Sequence, residues 1–197
     1  MIMQEQKDIS NRQIIYSLQE LKSLGLSYYR IGKLVDEGKL RKLNNSSYEN
    51  LLYNGDESDF YYVKAYAPKG VICLLSAARY YELTTYWPDS IDVAIDRDSK
   101  ISTMPDWPQL NVLYFSKTRL ETGVVTIESG NNSFRIYDVE KTVIDILFYR
   151  NKLGIEETKE ILTNYLKKSY RDLKRLHRYA RLLRCERILS TYLEVLV

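Results

Sequence analysis

The chain has 197 residues, 45% of them apolar and 28% charged, with a net charge of +3. It is long enough for one large domain or two smaller ones with real cores, and too weakly charged overall to name a partner by its total. One His and two Cys far apart in sequence argue against a zinc site, and no apolar run of membrane-spanning length occurs, which points to a soluble cytoplasmic protein.

The charge is unevenly spread. Residues 167–197 carry nine Lys and Arg against three Asp and Glu, and Lys22–Lys42 holds six basic and two acidic residues. A phosphate feels such local clusters, since screening removes more distant charge.

In chain order, Met1–Lys7 can add a short leading helix. Ser10-Asn11-Arg12-Gln13 has the form of a capping box and predicts a helix to about Leu24, with Ile14, Leu18 and Leu21 on its inner face. Gly25-Leu26 is a tight turn. Ser27 is an N-cap for a second helix to about Glu37, with Ile31, Leu34 and Val35 inward and Tyr28, Tyr29, Arg30 and Lys33 on the other faces. Gly38 stops it. Leu40–Leu43 alternates as a strand, and Asn44–Ser47 is turn chemistry. Two helices followed by a basic hairpin predict an N-terminal winged helix-turn-helix, with Ser27–Glu37 as the helix that enters the major groove. On that reading Tyr28, Tyr29 and Arg30 lie near bases, Lys33, Arg41 and Lys42 hold phosphates, and Ser27 and Lys39 complete the DNA-binding set.

The acidic stretch NGDESD (54–59) is the best boundary, dividing a DNA-binding domain (1–56) from a larger α+β domain (57–197). In the latter, Asp59–Ala67 is helical and stopped by Pro68. Val71–Leu83 is almost fully apolar on all sides until Arg79 and reads as a buried helix. Ile91–Ile95, Asn111–Phe115, Gly123–Glu128 and Phe134–Tyr137 read as four strands of a small sheet, the last two joined by the turn Ser129–Asn132. Asp138 caps a helix from Val139 to about Tyr149. Helices at Glu156–Lys168, Tyr170–Arg184 and Arg187–Leu196 follow. Strands flanked by helices give an α+β class. Both cysteines fall in apolar runs and read as buried thiols.

The helix Tyr170–Arg184 places Arg171, Lys174, Arg175, Arg178 and Arg181 in an arc of about 120°. That band is either a second phosphate- or RNA-binding surface or a solvated face. Asp92, Asp96 and Asp98 lie at a strand end, where paired carboxylates can hold Mg²⁺, but no Gly-Ser phosphate loop precedes them and Arg97 offsets their charge. The chain has no P-loop, GxGxxG or nucleophile elbow. The expectation is a non-enzyme, with no catalytic residue, metal ligand or cofactor.

Gly70-Val-Ile-Cys-Leu-Leu-Ser-Ala-Ala78, then Leu83-Thr84 and Ile91-Asp-Val-Ala-Ile95, resemble the core of AbiEi-type antitoxins of abortive-infection systems. Asp138-Val-Glu-Lys-Thr-Val-Ile-Asp145 resembles their D-x-E-[RK]-T-x-x-D segment. The order of the blocks agrees over nearly the whole chain. The hairpin departs from the family's Arg-Gly-x-Tyr ending, having Asn44-Asn45-Ser46-Ser47-Tyr48. The resemblance implies the antitoxin of a type IV toxin–antitoxin pair. Its N-terminal domain would bind inverted repeats in its own promoter and repress it. Its second domain would counteract a nucleotidyltransferase-like toxin without a stable complex, in phage defence. The alternative is a regulatory module that binds RNA or a protein through the basic C-terminal helix.

Overall fold

The computed structural model describes Ile9 and residues 12–196. Among these the chain is a mixed α+β fold with two sheets and nine α-helices, divided into two compact units. The first takes the chain up to Lys69, with Ile101–Pro108 and Ile127–Phe134. The second takes Gly70–Lys100, Gln109–Thr126 and the chain from Arg135 on. Where the sequence reading puts the boundary at 56/57, residues 57–69 stay with the first unit. Asn44 Nδ2 donates to the Ala65 carbonyl (2.7 Å) and Tyr62 Oη to Glu49 (2.8 Å).

The first unit begins with strand β1 (Ile15–Ser17) and helix α1 (Leu18–Ser23), where the sequence reading expects one helix to Leu24. The expected cap Ser10 and the leading helix Met1–Lys7 lie outside the described residues. The capping box is instead Ser17 with Glu20: Ser17 Oγ accepts from Glu20 N (3.1 Å), and Glu20 accepts from Ser17 N (2.6 Å). Ile14, Ile15 and Tyr16 are all buried, so their run satisfies a buried strand as well as a helix face.

Helix α2 (Tyr28–Asp36) follows, with Ser27 Oγ accepting from Arg30 N at 3.3 Å. Both α1 and α2 end in the same way. Gly25 (φ 87°) and Gly38 (φ 67°) take the left-handed conformation. Their N–H groups bond back to Lys22 and Val35, and the next residues, Leu26 and Lys39, bond to Leu21 and Leu34. Those paired bonds satisfy the last carbonyls of each helix and set the turns into α2 and β2 (Leu40–Lys42). Strand β3 (Ser47–Asn50) lies centrally, giving the antiparallel order β1-β3-β2. Ile9, Tyr16, Leu21, Ile31, Leu34, Leu40 and Tyr48 form the core. A 3₁₀ turn (Asp59–Tyr62) and α3 (Val63–Tyr66) complete the N-terminal part of this unit.

The second sheet has five strands where four are expected, in the order β6 (Leu110–Phe115), β5 (Ile91–Asp96), β4 (Val71–Ile72), β8 (Asn132–Tyr137), β7 (Val124–Ser129). The missed strand is β4 (Val71–Ile72), and the predicted helix Val71–Leu83 is really β4 followed by α4 (Leu74–Tyr80). β4 sits mid-sheet, antiparallel to β5 (Ile91–Asp96) and parallel to β8 (Asn132–Tyr137). A strand buried on both faces reads as an unbroken apolar run, which periodicity cannot separate from a buried helix. β6 (Leu110–Phe115) pairs parallel with β5, and a short α5 (Lys117–Glu121), also missed, leads to β7 (Val124–Ser129). Gly130 and Asn131 make the expected turn into β8.

Four helices follow: α6 (Val139–Leu153), α7 (Ile155–Lys167), α8 (Leu173–Leu182) and α9 (Glu186–Leu196). Val143, Ile144, Ile146 and Leu147 of α6 are buried, with Ile161, Leu162 and Tyr165 from α7 and Leu176 and Ala180 from α8. None of the described helices is long and apolar enough to cross a membrane.

Candidate nucleic-acid interface

The outer side of α2 is built by the amphipathic spacing of its sequence. Burying Ile31 and Leu34 leaves Tyr28 64% and Tyr29 83% exposed in the first turn. Lys22, at the end of α1, donates to Tyr28 Oη at 2.7 Å, and its ammonium lies 3.9 Å from that ring's centroid. Arg30 is half-buried at its side of the first turn, and Lys33 is exposed. Ser27 spends its hydroxyl on the cap. Lys22 is absent from the sequence-predicted set, although it falls within the basic stretch that flagged the region.

Two carboxylates sit among these cations, and neither belongs to the predicted site. Glu37, at the C-cap of α2, pairs with Lys39 (2.8 Å) and faces Lys33 (3.8 Å). The Lys39 hydrogen bond, with the charges of Lys39, Lys33 and Arg30, holds its pKa below the usual glutamate value. Glu49, nearly buried on β3, lies directly across the ladder from Arg41 and accepts from Arg41 Nε at 2.6 Å and from an Nη. The pairing follows from the sequence once the turn Asn44–Ser46 sets the register. Lys42 is exposed and has no ion-pair partner among the described residues. The predicted residues thus share one small unit, five of them on α2 or its cap and three along the path into β2.

The second predicted basic surface is altered. Helix α8 starts at Leu173, after an Asp172 cap, so Arg171 precedes it. Arg175 is turned to the protein's own carboxylates: Glu140 (3.5 Å), Asp172 (3.6 Å) and Asp138 (4.0 Å). Arg181 pairs with Glu186 at 3.1 Å. Lys174 and Arg178 remain exposed without an ion-pair partner among the described residues. Arg171, Asp172, Leu173 and Lys174, with Ser169, line an open depression.

The Asp138–Asp145 segment is architectural. Asp138 caps α6 through Lys141 N (2.8 Å) and accepts from Tyr179 Oη (2.8 Å). Glu140 accepts from Tyr165 Oη (3.2 Å) and Asp172 N (2.9 Å), tying α6 to α7 and α8. Thr142 Oγ1 donates to the Asp138 carbonyl at 2.9 Å. Asp145, fully buried, is bracketed by Lys141 Nζ and Arg119 Nη1. Lys141 also lies 3.8 Å from the Tyr137 ring centroid, and Arg119 3.9 Å from that of Phe148. Burial pulls the Lys141 pKa down, against the Asp145 charge that supports its ammonium.

Asp92, weighed above as a metal ligand, has both oxygens engaged. It accepts from Leu75 N (3.0 Å), where it caps α4, and from Asn111 Nδ2 (2.7 Å). Burial raises its pKa. Asp96 accepts from Asp98 N at 2.9 Å. Both cysteines are buried free thiols, and burial pushes Cys185 up to about 11 and Cys73 well above the usual range.

No protein-family model matches the sequence, and no curated protein matches it. Among solved structures the chain is similar to that of the RV2827C protein from Mycobacterium tuberculosis. The identity is 13% and the TM-score 0.46, over 94% of this chain and 76% of that one, a likeness too distant to carry an argument.

Proposed function

We propose that the protein is a DNA-binding antitoxin that represses its own promoter through a winged helix. The observation that carries the DNA reading is the order β1-α1-α2-β2-β3 with the sheet arranged β1-β3-β2. With this order an exposed, Ser27-capped helix and a basic hairpin share one small unit, which supports the winged helix-turn-helix reading. Tyr28, Tyr29 and Arg30 take the helix's leading turn, where base edges are read, and Lys33, Lys39, Arg41 and Lys42 supply the sequence-independent phosphate attraction.

The antitoxin half of the reading is supported by the resemblance of the Gly70–Ala78 and Asp138–Asp145 blocks to the AbiEi type. In this chain those blocks build the second unit's core, so they speak for a shared architecture rather than a shared chemistry. On this reading the protein counteracts a nucleotidyltransferase-like toxin without a stable complex. The RNA- or protein-binding alternative rests on Lys174 and Arg178, the exposed cations left on α8.

A gel-shift titration on the protein's own upstream DNA, beside a scrambled duplex and at two salt concentrations, tests the DNA reading. Wild type shifts the upstream duplex selectively and more weakly at high salt, and an Arg30→Ala, Lys33→Ala variant loses the selectivity. The same variant keeps its protection against the toxin. Equal weak binding to both duplexes overturns the repressor reading.

A further inference from the structure

We propose that Glu49 is a positioning residue, which presents Arg41 to a DNA phosphate from the β2–β3 hairpin. The inference rests on the DNA reading above and adds a residue that opposes phosphate by charge yet serves its binding.

The geometry is that of a supported fork. Arg41 stands on the edge strand β2 with its side chain 59% exposed, and Glu49 stands opposite on the central strand β3, its side chain 9% exposed. One Glu49 oxygen takes the Nε side of the guanidinium, through Nε at 2.6 Å and an adjacent Nη. The other oxygen accepts from Tyr62 Oη at 2.8 Å. The carboxylate is therefore held from two sides and cannot follow Arg41 into alternative rotamers. Arg41 has five N–H donors in a rigid plane, and Glu49 occupies only one edge of it. The remaining edge can make the paired hydrogen bonds that suit a phosphate.

The support continues behind the carboxylate. Tyr62 belongs to the 3₁₀ turn, and the chain just beyond it holds the hairpin's tip: the Ala65 carbonyl accepts from Asn44 Nδ2 (2.7 Å) and Ser47 Oγ (3.4 Å). Burial and the Glu49 carboxylate raise the Tyr62 pKa, so its hydroxyl remains a donor at any ordinary pH. Immobilising a free arginine on binding costs about 0.5–1.5 kcal/mol, equivalent to about two- to tenfold in affinity, and this arrangement meets that cost in advance.

The competing account makes Glu49 a simple counter-charge, and the two differ in sign. If Glu49 only neutralises Arg41, Glu49→Gln removes a negative charge beside DNA and tightens binding. If it positions Arg41, the same change weakens binding by about two- to tenfold on upstream and scrambled duplexes alike, since a phosphate contact carries no sequence information.

The test is anisotropy titration of the full chain on both duplexes across a salt series. It uses wild type, Glu49→Gln, Arg41→Ala, Arg41→Lys, Tyr62→Phe and the double variant Glu49→Gln, Arg41→Ala, with thermal unfolding to confirm that each is folded. We expect Arg41→Ala to lower the salt slope by about 0.9, the share of one phosphate. Arg41→Lys keeps the charge but not the fork and weakens binding as Glu49→Gln does. Tyr62→Phe, which frees the other oxygen without touching the buried charge, weakens it less. In the Arg41→Ala background Glu49→Gln no longer weakens binding. Tighter or unchanged binding by Glu49→Gln overturns the proposal, and so does an equal loss in the Arg41→Ala background. Selective wild-type binding that is indifferent to Arg41→Ala overturns the proposal but leaves the DNA reading standing. Equal weak wild-type binding to both duplexes removes both.

Discussion

Helices α2 and α8 have the same ingredients and use them in opposite ways. Each is short, is capped by the side chain of the residue before it, and carries basic residues on the side away from its buried apolar residues. In α8 the central cation, Arg175, is drawn to Asp138, Glu140 and Asp172 and helps fasten α8 to α6. In α2 the cations meet a single carboxylate, Glu37, at the far end, and the leading turn offers two exposed tyrosines instead. A basic helix face is therefore defined by where its counter-charges stand. When they come from a packed neighbouring helix, the cation is part of the fold. When they are sparse and solvent-reached, the cation is available to a ligand.

The largest effect expected along this line comes from the fully internal charge group. Asp145→Ala leaves Lys141 and Arg119 buried without their shared carboxylate, and we expect a loss of about 3–5 kcal/mol in urea unfolding. A loss below about 1 kcal/mol would mean that those cations find other partners. Next comes Arg175→Ala, which strips a facing charge from the buried Glu140 but at a site that water reaches. It should cost about 1–2 kcal/mol, while a neutralisation of α2 such as Lys33→Ala stays within about 0.5 kcal/mol. Equal costs at the two sites would erase the distinction between the helices.

The smallest effect is a pH dependence in the first unit. Burial would raise the Glu20 pKa, but hydrogen bonds from Lys64 and from the Ser17 N–H outweigh it and lower the value. A carboxylate depressed in the folded state adds stability above its ordinary pKa and loses it as pH falls through the folded value. Glu20→Gln should therefore be slightly less stable near about pH 7 and lose less stability on acidification than wild type. Parallel pH curves for the two proteins would show that the Lys64 contact contributes nothing, as an exposed pair can.

Local chemistry made α2 legible. Ser27, the Ile31/Leu34 spacing and Gly38 each specify one backbone decision, and all three act within the helix itself. The Ser129–Asn132 turn and the Asp138 cap were legible for the same reason. What escaped depends on partners distant in sequence. Val71–Ile72 is a strand because β5 and β8 flank it, and α4 starts where it does because Asp92 caps it from β5. The run Ile15–Ser17 is a strand because it pairs with β3. In the candidate interface the cations could be read from their clustering, but not their restraints. That Arg175 is spent on Glu140, and that Glu49 holds Arg41 together with Tyr62, are facts of tertiary packing.

On the proposed DNA reading, selectivity for DNA resides on α2 and not on α8. The direct measurement is a pair of binding isotherms on upstream and scrambled duplexes, for Arg30→Ala, Lys33→Ala and for Lys174→Ala, Arg178→Ala. The account predicts that the α2 variant binds both duplexes equally, while the α8 variant keeps the wild-type preference for the upstream duplex, whatever it loses in overall affinity. Selectivity that survives in the α2 variant and vanishes in the α8 variant would contradict it.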